Sequence, residues 1–409
     1  MDILYLTLKN PDLKRAGMIY PDLIIALTEA GHKVTIVFAD SPKNTPETEM
    51  INVDVDPSGT GPVGSVRILK VSAAEIFGVN FIKKGINTLK VEPKLRAAIE
   101  KELKGEHFDL VLYATPPVTF ANVVKYCKKN FGCKAFLMLK DIFPQNAVDI
   151  GLFGKDGVIH KYFRNKEKKL YALSDIIGCM SEGNRAYLKE HDPEIPTEKL
   201  ILFPNTIKVP PLKEEGLEFI TGKKLRLMVG GNLGKPQAVD FLMKVIQYDK
   251  SPVYDKVEFI FAGNGSEAEL VKKTCEGRTN AGFIDYLPVA EYNKLMDSCD
   301  VGIVSLDIRF TIPNYPSRML SYMALAKPMI ACTDECTDVR QLLTEDADCG
   351  LWCRSDDVEG FWECIRQMLD DKKRKVMGMN GRKYLEEHFD VSRSVELLET
   401  YGGHVEELK

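Results

Sequence analysis

Residues 225–242 read LRLMVGGNLGKPQAVDFL. The apolar run 225–229 has the length and composition of a buried strand, and the residues after Gly234 open a helical pattern. A strand, a glycine turn and a helix start form a natural anion cradle, because glycine admits close backbone approach and a helix N-terminus attracts negative charge. The nearest named motifs do not fit. A P-loop needs four residues between its glycines and a hydroxyl after its lysine, whereas Gly230 and Gly234 enclose three and Lys235 is followed by Pro236. The dinucleotide fingerprint G-x-G-x-x-G is not supplied by Gly230, Gly231 and Gly234 either. The stretch is a phosphate cradle or a plain tight turn, and its spacing leaves both open.

Outward from this point the chain alternates between strands and helices. Before it come DILYLTL (2–8), KVTIVFA (33–39), DLVLYAT (109–115), KAFLMLK (134–140), DIIGCMS (175–181) and LILFPN (200–205). Helical patterns near 19–30, 118–131 and 182–190 separate several of these. After it come VEFIFAG (257–263), AGFIDY (281–286), VGIVSL (301–306) and PMIACT (328–333), with helices expected at 237–249, 266–275, 289–298 and 317–326 and terminal helices from 357. Such alternation predicts α/β architecture with parallel sheets. The polar, proline-paired stretch 208–224 predicts a linker. The expected organisation is therefore two Rossmann-like doubly wound domains facing across a cleft: residues 1–207, a linker at 208–224, and residues 225–390. The last helix, about 391–409, is expected to pack back on the first domain.

Composition narrows the function. The 409 residues are 44% hydrophobic and 28% charged, as in ordinary soluble globular chains. No apolar run approaches the 18 residues of a membrane-spanning helix, and the strand beginning at Met1 predicts no signal peptide. Ten cysteines are scattered, several in expected strands (Cys133, Cys179, Cys332), which predicts a reducing, cytoplasmic compartment. The pairs Cys332/Cys336 and Cys349/Cys353 have the wrong spacing for zinc and no histidine nearby. The net charge of −4 hides an asymmetry: residues 80–169 hold 18 Lys and Arg against 9 Asp and Glu. No platform of interleaved aromatics accompanies this basic stretch, so nucleic acid is not the expected partner. An anionic acceptor or a membrane surface suits it.

Further stretches share an order and spacing: 15–37, with a glycine after the first strand; 261–273, with a second glycine turn; and PSRMLSYMALAKPMIA at 316–331. Together they resemble the glycosyltransferases of family four, which have the GT-B fold. The resemblance covers nearly the whole chain and is strongest over 225–390. The block at 316–331 resembles that family's PSK-x-x-E-Y-M-A-x-G-K-P-V-I-A, and LKDIFPQNAVDIGLF (139–153) resembles a block of members acting on bacterial surface polysaccharides.

The resemblance implies a retaining transferase whose donor is a nucleotide diphosphate sugar, UDP-linked, held mainly by the second domain. Lys235 and Arg318 match cations that neutralise the leaving diphosphate, where preorganised charge counts most. Asn232 stands where many relatives carry arginine. Phe283 and Ile284 match positions whose backbone frames the base, and Ser317 would offer its amide and hydroxyl. Gly17 and Gly263 match glycines beside the diphosphate. Asp141 is the candidate for acceptor orientation or proton handling, or else a turn cap. Lys140 occupies a position where some relatives have a histidine facing the donor sugar.

One departure stands out. The family glutamate that grips the ribose falls at Ser321, and its partner eight residues earlier falls at Pro313. A serine makes a weaker contact than a carboxylate, which keeps open a non-catalytic nucleotide-sugar-binding partner. A non-hydrolysing UDP-sugar 2-epimerase is a further alternative. No cofactor is expected. The Asp54-x-Asp56 pair, after the second strand, is not expected to hold a metal. The expected acceptor is a saccharide or polyprenyl-linked saccharide. The basic, partly aromatic stretches 79–105 and 160–171 point to peripheral contact with an anionic membrane surface.

Overall fold

The computed structural model describes residues 1–14, 17–56, 61–75, 81–212 and 224–403, and only the backbone of 81–86. The chain divides into two compact units, Met1–Lys208 with Val391–Lys409, and Val209–Asp390. Both are Rossmann-like α/β units. Most of the linker predicted at 208–224 (213–223) lies outside the described residues.

Among the described residues unit 1 holds eight strands: β1 Asp2–Thr7, β2 Lys33–Asp40, β3 Glu49–Val55, β4 Gly64–Ser72, β5 Leu110–Thr115, β6 Lys134–Leu139, β7 Ile176–Cys179 and β8 Leu200–Leu202. Their order is β3-β4-β2-β1-β5-β6-β7-β8. Neighbours pair in parallel except β3 with β4, which are antiparallel. That pair corrects the strict strand–helix alternation expected from sequence. From Ile51 on, EMINVDV alternates between partly covered and exposed positions, with only Val55 buried, the pattern of an edge strand with one face in water. Asp54 lies on β3, opposite Ser65 of β4, and Asp56 just past its end.

The final helix, Val391–Gly402, belongs with unit 1. Thr206 and Ser394 share a buried hydroxyl–hydroxyl hydrogen bond of 2.7 Å, and the Val391 amide donates to the Ile207 carbonyl at 3.0 Å. Val391, Val395 and Leu398 join the core built on Ile3, Ile36, Leu112 and Phe136.

Among the described residues unit 2 holds six parallel strands: β9 Leu225–Asn232, β10 Val257–Asn264, β11 Ala281–Ile284, β12 Val301–Ser305, β13 Met329–Thr333 and β14 Gly350–Arg354. Their order is β11-β10-β9-β12-β13-β14. The central strands are apolar on both faces because helices cover both, as parallel sheets require. Leu227, Val229, Phe259, Phe261 and Ile303 are all fully buried, each contributing about 1.5–3 kcal/mol of transfer free energy. Strand order reverses at β9, which lies between β10 on one side and β12 on the other. In doubly wound sheets ligands bind at the carboxyl ends of the strands flanking such a reversal, and the Gly230–Gly234 turn is the carboxyl end of β9.

No helix among the described residues is long and apolar enough to cross a membrane.

Candidate functional site

The turn after β9 is tighter than the sequence suggests. The strand runs on to Asn232, a single 3-10 turn covers Lys235–Gln237, and the helix begins only at Val239. Ala238, between the two, has φ 46°. The helix expected from 237 therefore starts two residues late, because Pro236 and the bond from the Gln237 amide to the Gly234 carbonyl, 3.0 Å, hold a tighter turn there.

Asn232 donates from Nδ2 to Oε1 of Gln237 at 2.8 Å. Its amide thus staples the turn, and Gln237, which sequence reasoning passed over, is its partner. β12 anchors the same turn: Ser305 Oγ donates to the Gln237 carbonyl at 2.7 Å, and the Asp307 amide donates to the Pro236 carbonyl at 3.1 Å. Lys235 is left exposed on this fixed support, with no side-chain partner among the described residues. Arg309, two residues beyond Asp307, is engaged with that carboxylate at 2.8 and 2.6 Å. The pairing holds the Asp307 carboxyl below its usual range despite partial burial.

The glycines have separate jobs. A Cβ on Gly230 would lie 2.0 Å from the Tyr292 hydroxyl, so glycine here leaves room for a tyrosine packed on the strand end. Gly263 has φ +147°, and a Cβ there would fall 1.9 Å from the Gly231 carbonyl oxygen of the paired strand. It is required by the close approach of β10 to β9.

Arg318 opens a short helix, Arg318–Ala324. Tyr322, one turn later on the same face, fixes it: its ring fills the space beside Gly302 of β12, and its hydroxyl donates to the Met228 carbonyl of β9 at 3.0 Å. Arg382, from the helix Asp371–His388, donates to the Ala324 carbonyl at the other end, 2.7 Å. Arg318 is thereby held beside β9, β12 and β13. Burial raises the Tyr292 and Tyr322 hydroxyls and the Cys332 thiol, and in all three the Arg318 charge pulls the other way. Its Nη1 is buried with no hydrogen-bond partner among the described residues. A buried guanidinium nitrogen left unpaired is costly, and its natural mate is a planar or tetrahedral oxyanion.

The remaining unit 2 candidates are more modest. Ser317 precedes the helix, and its hydroxyl makes no capping bond. Ser321 is half-buried on the same helix. Phe283 and Ile284 end β11, paired with Phe261 and Ala262 of β10, and the Phe283 ring packs against the core.

In unit 1, Gly17 donates its amide to Oδ1 of the buried Asp22 at 3.1 Å, while Oδ2 accepts from the Lys208 amide at 2.8 Å. Asp141 directly follows Lys140 at the carboxyl end of β6, and its carbonyl accepts from Thr115 Oγ1 at 3.0 Å. Desolvation pushes its carboxyl up to about 7. Burial raises the Tyr20 hydroxyl, and the Asp141 charge raises it further. Lys140 lies 5.2 Å from the Phe203 ring centroid, and burial pulls its ammonium down to about 7.

Comparison with known proteins agrees with this fold. Residues 224–371 match the family model Glycosyl transferases group 1. The probable glycosyltransferase WbjE of Pseudomonas aeruginosa is 25% identical over 296 residues, spanning 68% of this chain and 72% of that protein. Sucrose-phosphate synthase of Thermosynechococcus elongatus superposes with a TM-score of 0.74 at 15% identity, covering 98% of both chains. HepE of Anabaena, solved in complex with UDP-glucose, gives a TM-score of 0.65 at 13% identity, covering 98% of this chain and 99% of its own. The chain is a glycosyltransferase with the GT-B fold, and its residues 224–371 match the Glycosyl transferases group 1 model.

Proposed function

We propose that this glycosyltransferase moves a sugar from a UDP-sugar to a saccharide or lipid-linked saccharide with retention of anomeric configuration. The observation that carries the donor half is the buried, unpartnered Nη1 of Arg318 beside the strand-order reversal at β9. Arg318 and the exposed Lys235 neutralise the diphosphate, taking the place that a divalent ion fills in metal-dependent transferases. UDP is favoured over other nucleotides by the family resemblance and by the fold shared with HepE, which was solved with UDP-glucose.

In the proposed step the bond from the anomeric carbon to the phosphate oxygen breaks and the acceptor oxygen attacks from the same face. The departing phosphate oxygen takes the acceptor's proton, and no carboxylate nucleophile is needed. Asp141, in unit 1, orients the acceptor hydroxyl. Its raised carboxyl can exchange a proton near neutral pH. The resemblance of 139–153 to transferases of bacterial surface polysaccharides supports the acceptor class.

A panel of UDP-, GDP- and ADP-sugars offered without acceptor tests the reading. Slow hydrolysis of UDP-sugars alone, with retention in the sugar product by NMR, is expected. Interconversion of the donor sugar, or binding with no turnover, would overturn it.

A further inference from the structure

The helix Val158–Leu173 of unit 1 is built inside out at its start. Its buried face carries His160 and Glu167, and Arg164 pairs with both Glu167 and Asp192. The outward first turn is apolar instead: Val158 is 87% exposed, Ile159 55% and Tyr162 44%, and Leu152 just before is 43% exposed. Surface helices turn such residues inward. Single exposed apolar side chains need no explanation, but a cluster of this kind marks an interaction surface.

The cluster has a firm base. The Phe143 ring lies 5.1 Å from Phe163 and 6.3 Å from Phe153, and Tyr162 lies 5.3 Å from Phe163. Cations surround it. Lys155 and Lys161 are exposed and form no ion pair among the described residues, and the Lys166 ammonium lies 5.7 Å from the Tyr162 ring centroid. The exposed carboxylate among them, Asp156, lies 3.9 Å from Nδ1 of His160.

We propose that this face docks on an anionic lipid bilayer. Leu152, Val158 and Ile159 enter the boundary between headgroups and acyl chains, Tyr162 lies at headgroup level, and Lys155 and Lys161 meet anionic headgroups. A second copy of this chain fits the face poorly, because a two-fold contact would set lysines against lysines. Phe143 is two residues from Asp141 and packs on Phe163, so the docking face and the end of β6 are one packed piece. The inference deepens the acceptor half of the proposed function and rests on it for its purpose, since a lipid-linked saccharide would be met at the same bilayer. The docking itself is measurable without turnover.

The test is flotation of the full chain with phosphatidylcholine vesicles, with and without phosphatidylglycerol, at low salt. The wild type should float with the anionic vesicles and far less with the neutral ones. V158S/I159S should lower the partition coefficient by about tenfold or more, and K155E/K161E by at least about fivefold per lysine. Wild-type protein remaining unbound, or V158S/I159S floating as well as wild type, would overturn the proposal. So would concentration-dependent self-association that V158S/I159S abolishes, with no flotation. Thermal melts and UDP affinity of each variant, expected to be unchanged, separate lost docking from misfolding. Failure of UDP to bind the wild type would count against the donor reading and leave the docking result standing.

Discussion

On the proposed reading, Arg318 is the residue at which stability and function pull apart. Its Nη1 is buried without a partner among the described residues, so the free protein bears a desolvation cost that an oxyanion would relieve. R318M should therefore melt at the same temperature as wild type or higher, yet lose the stabilisation that added UDP-sugar gives. Charge-assisted bonds of this type contribute about 1.5–3 kcal/mol each, so the donor Kd should rise at least about tenfold. Calorimetric titration beside thermal melts checks both. Lys140 and Asp141 make a pH prediction. The Asp141 carboxyl is raised from 3.8 to about 7. Between those values the unfolded chain has already lost this proton while the folded chain keeps it, so stability falls as pH rises across the window. The Lys140 ammonium is lowered from 10.5 to about 7. Above 7 the folded chain has released a proton that the unfolded chain still holds, so stability is regained toward 10.5. D141N should gain most over wild type above pH 7, and K140M below it, in melts from pH 4 to 10. Equal pH profiles for D141N and wild type would contradict the assignment.

At the scale of elements, two glycines of neighbouring strands predict different genetics. Alanine at Gly230 meets the end of a side chain, the Tyr292 hydroxyl, whereas alanine at Gly263 meets backbone, the Gly231 carbonyl. G230A should cost about 1–3 kcal/mol, the range for overpacking, and Y292F should restore part of it. G263A should be worse, and no side-chain change opposite should rescue it. Denaturant melts of the single and double variants decide this.

These elements also show what could be read beforehand. Buried runs such as LRLMV and VEFIFAG are too apolar and too regularly spaced to be anything but central parallel strands, and the doubly wound sheets follow from them. The antiparallel β3 was missed because half its residues face water, which weakens the signal. Tyr292 and Gln237 were missed for another reason. Tyr292 acts on the strand-end turn by packing on Gly230 across the fold, and Gln237 acts through a hydrogen bond to Asn232. A linear pattern registers neither partner. Lys235 and Arg318 could be named from sequence because they stand inside recognisable blocks.

For the whole molecule, the two units carry different burdens. Unit 2 has its strand reversal and the Lys235 turn at the end of β9, and Arg318 near Tyr292, Tyr322 and Cys332. Unit 1 carries the raised carboxyl of Asp141 and the basic, apolar face at 152–166. The account stands on unit 2 clasping a nucleotide diphosphate with fixed cations and without a metal ion. The most direct test is titration of UDP-sugar into wild type, K235A and R318A, each with chelator and with added magnesium. The account predicts wild-type binding that is indifferent to chelator and weakened at least about tenfold by either substitution. Binding that chelator abolishes and magnesium restores, or that both variants keep in full, would contradict it.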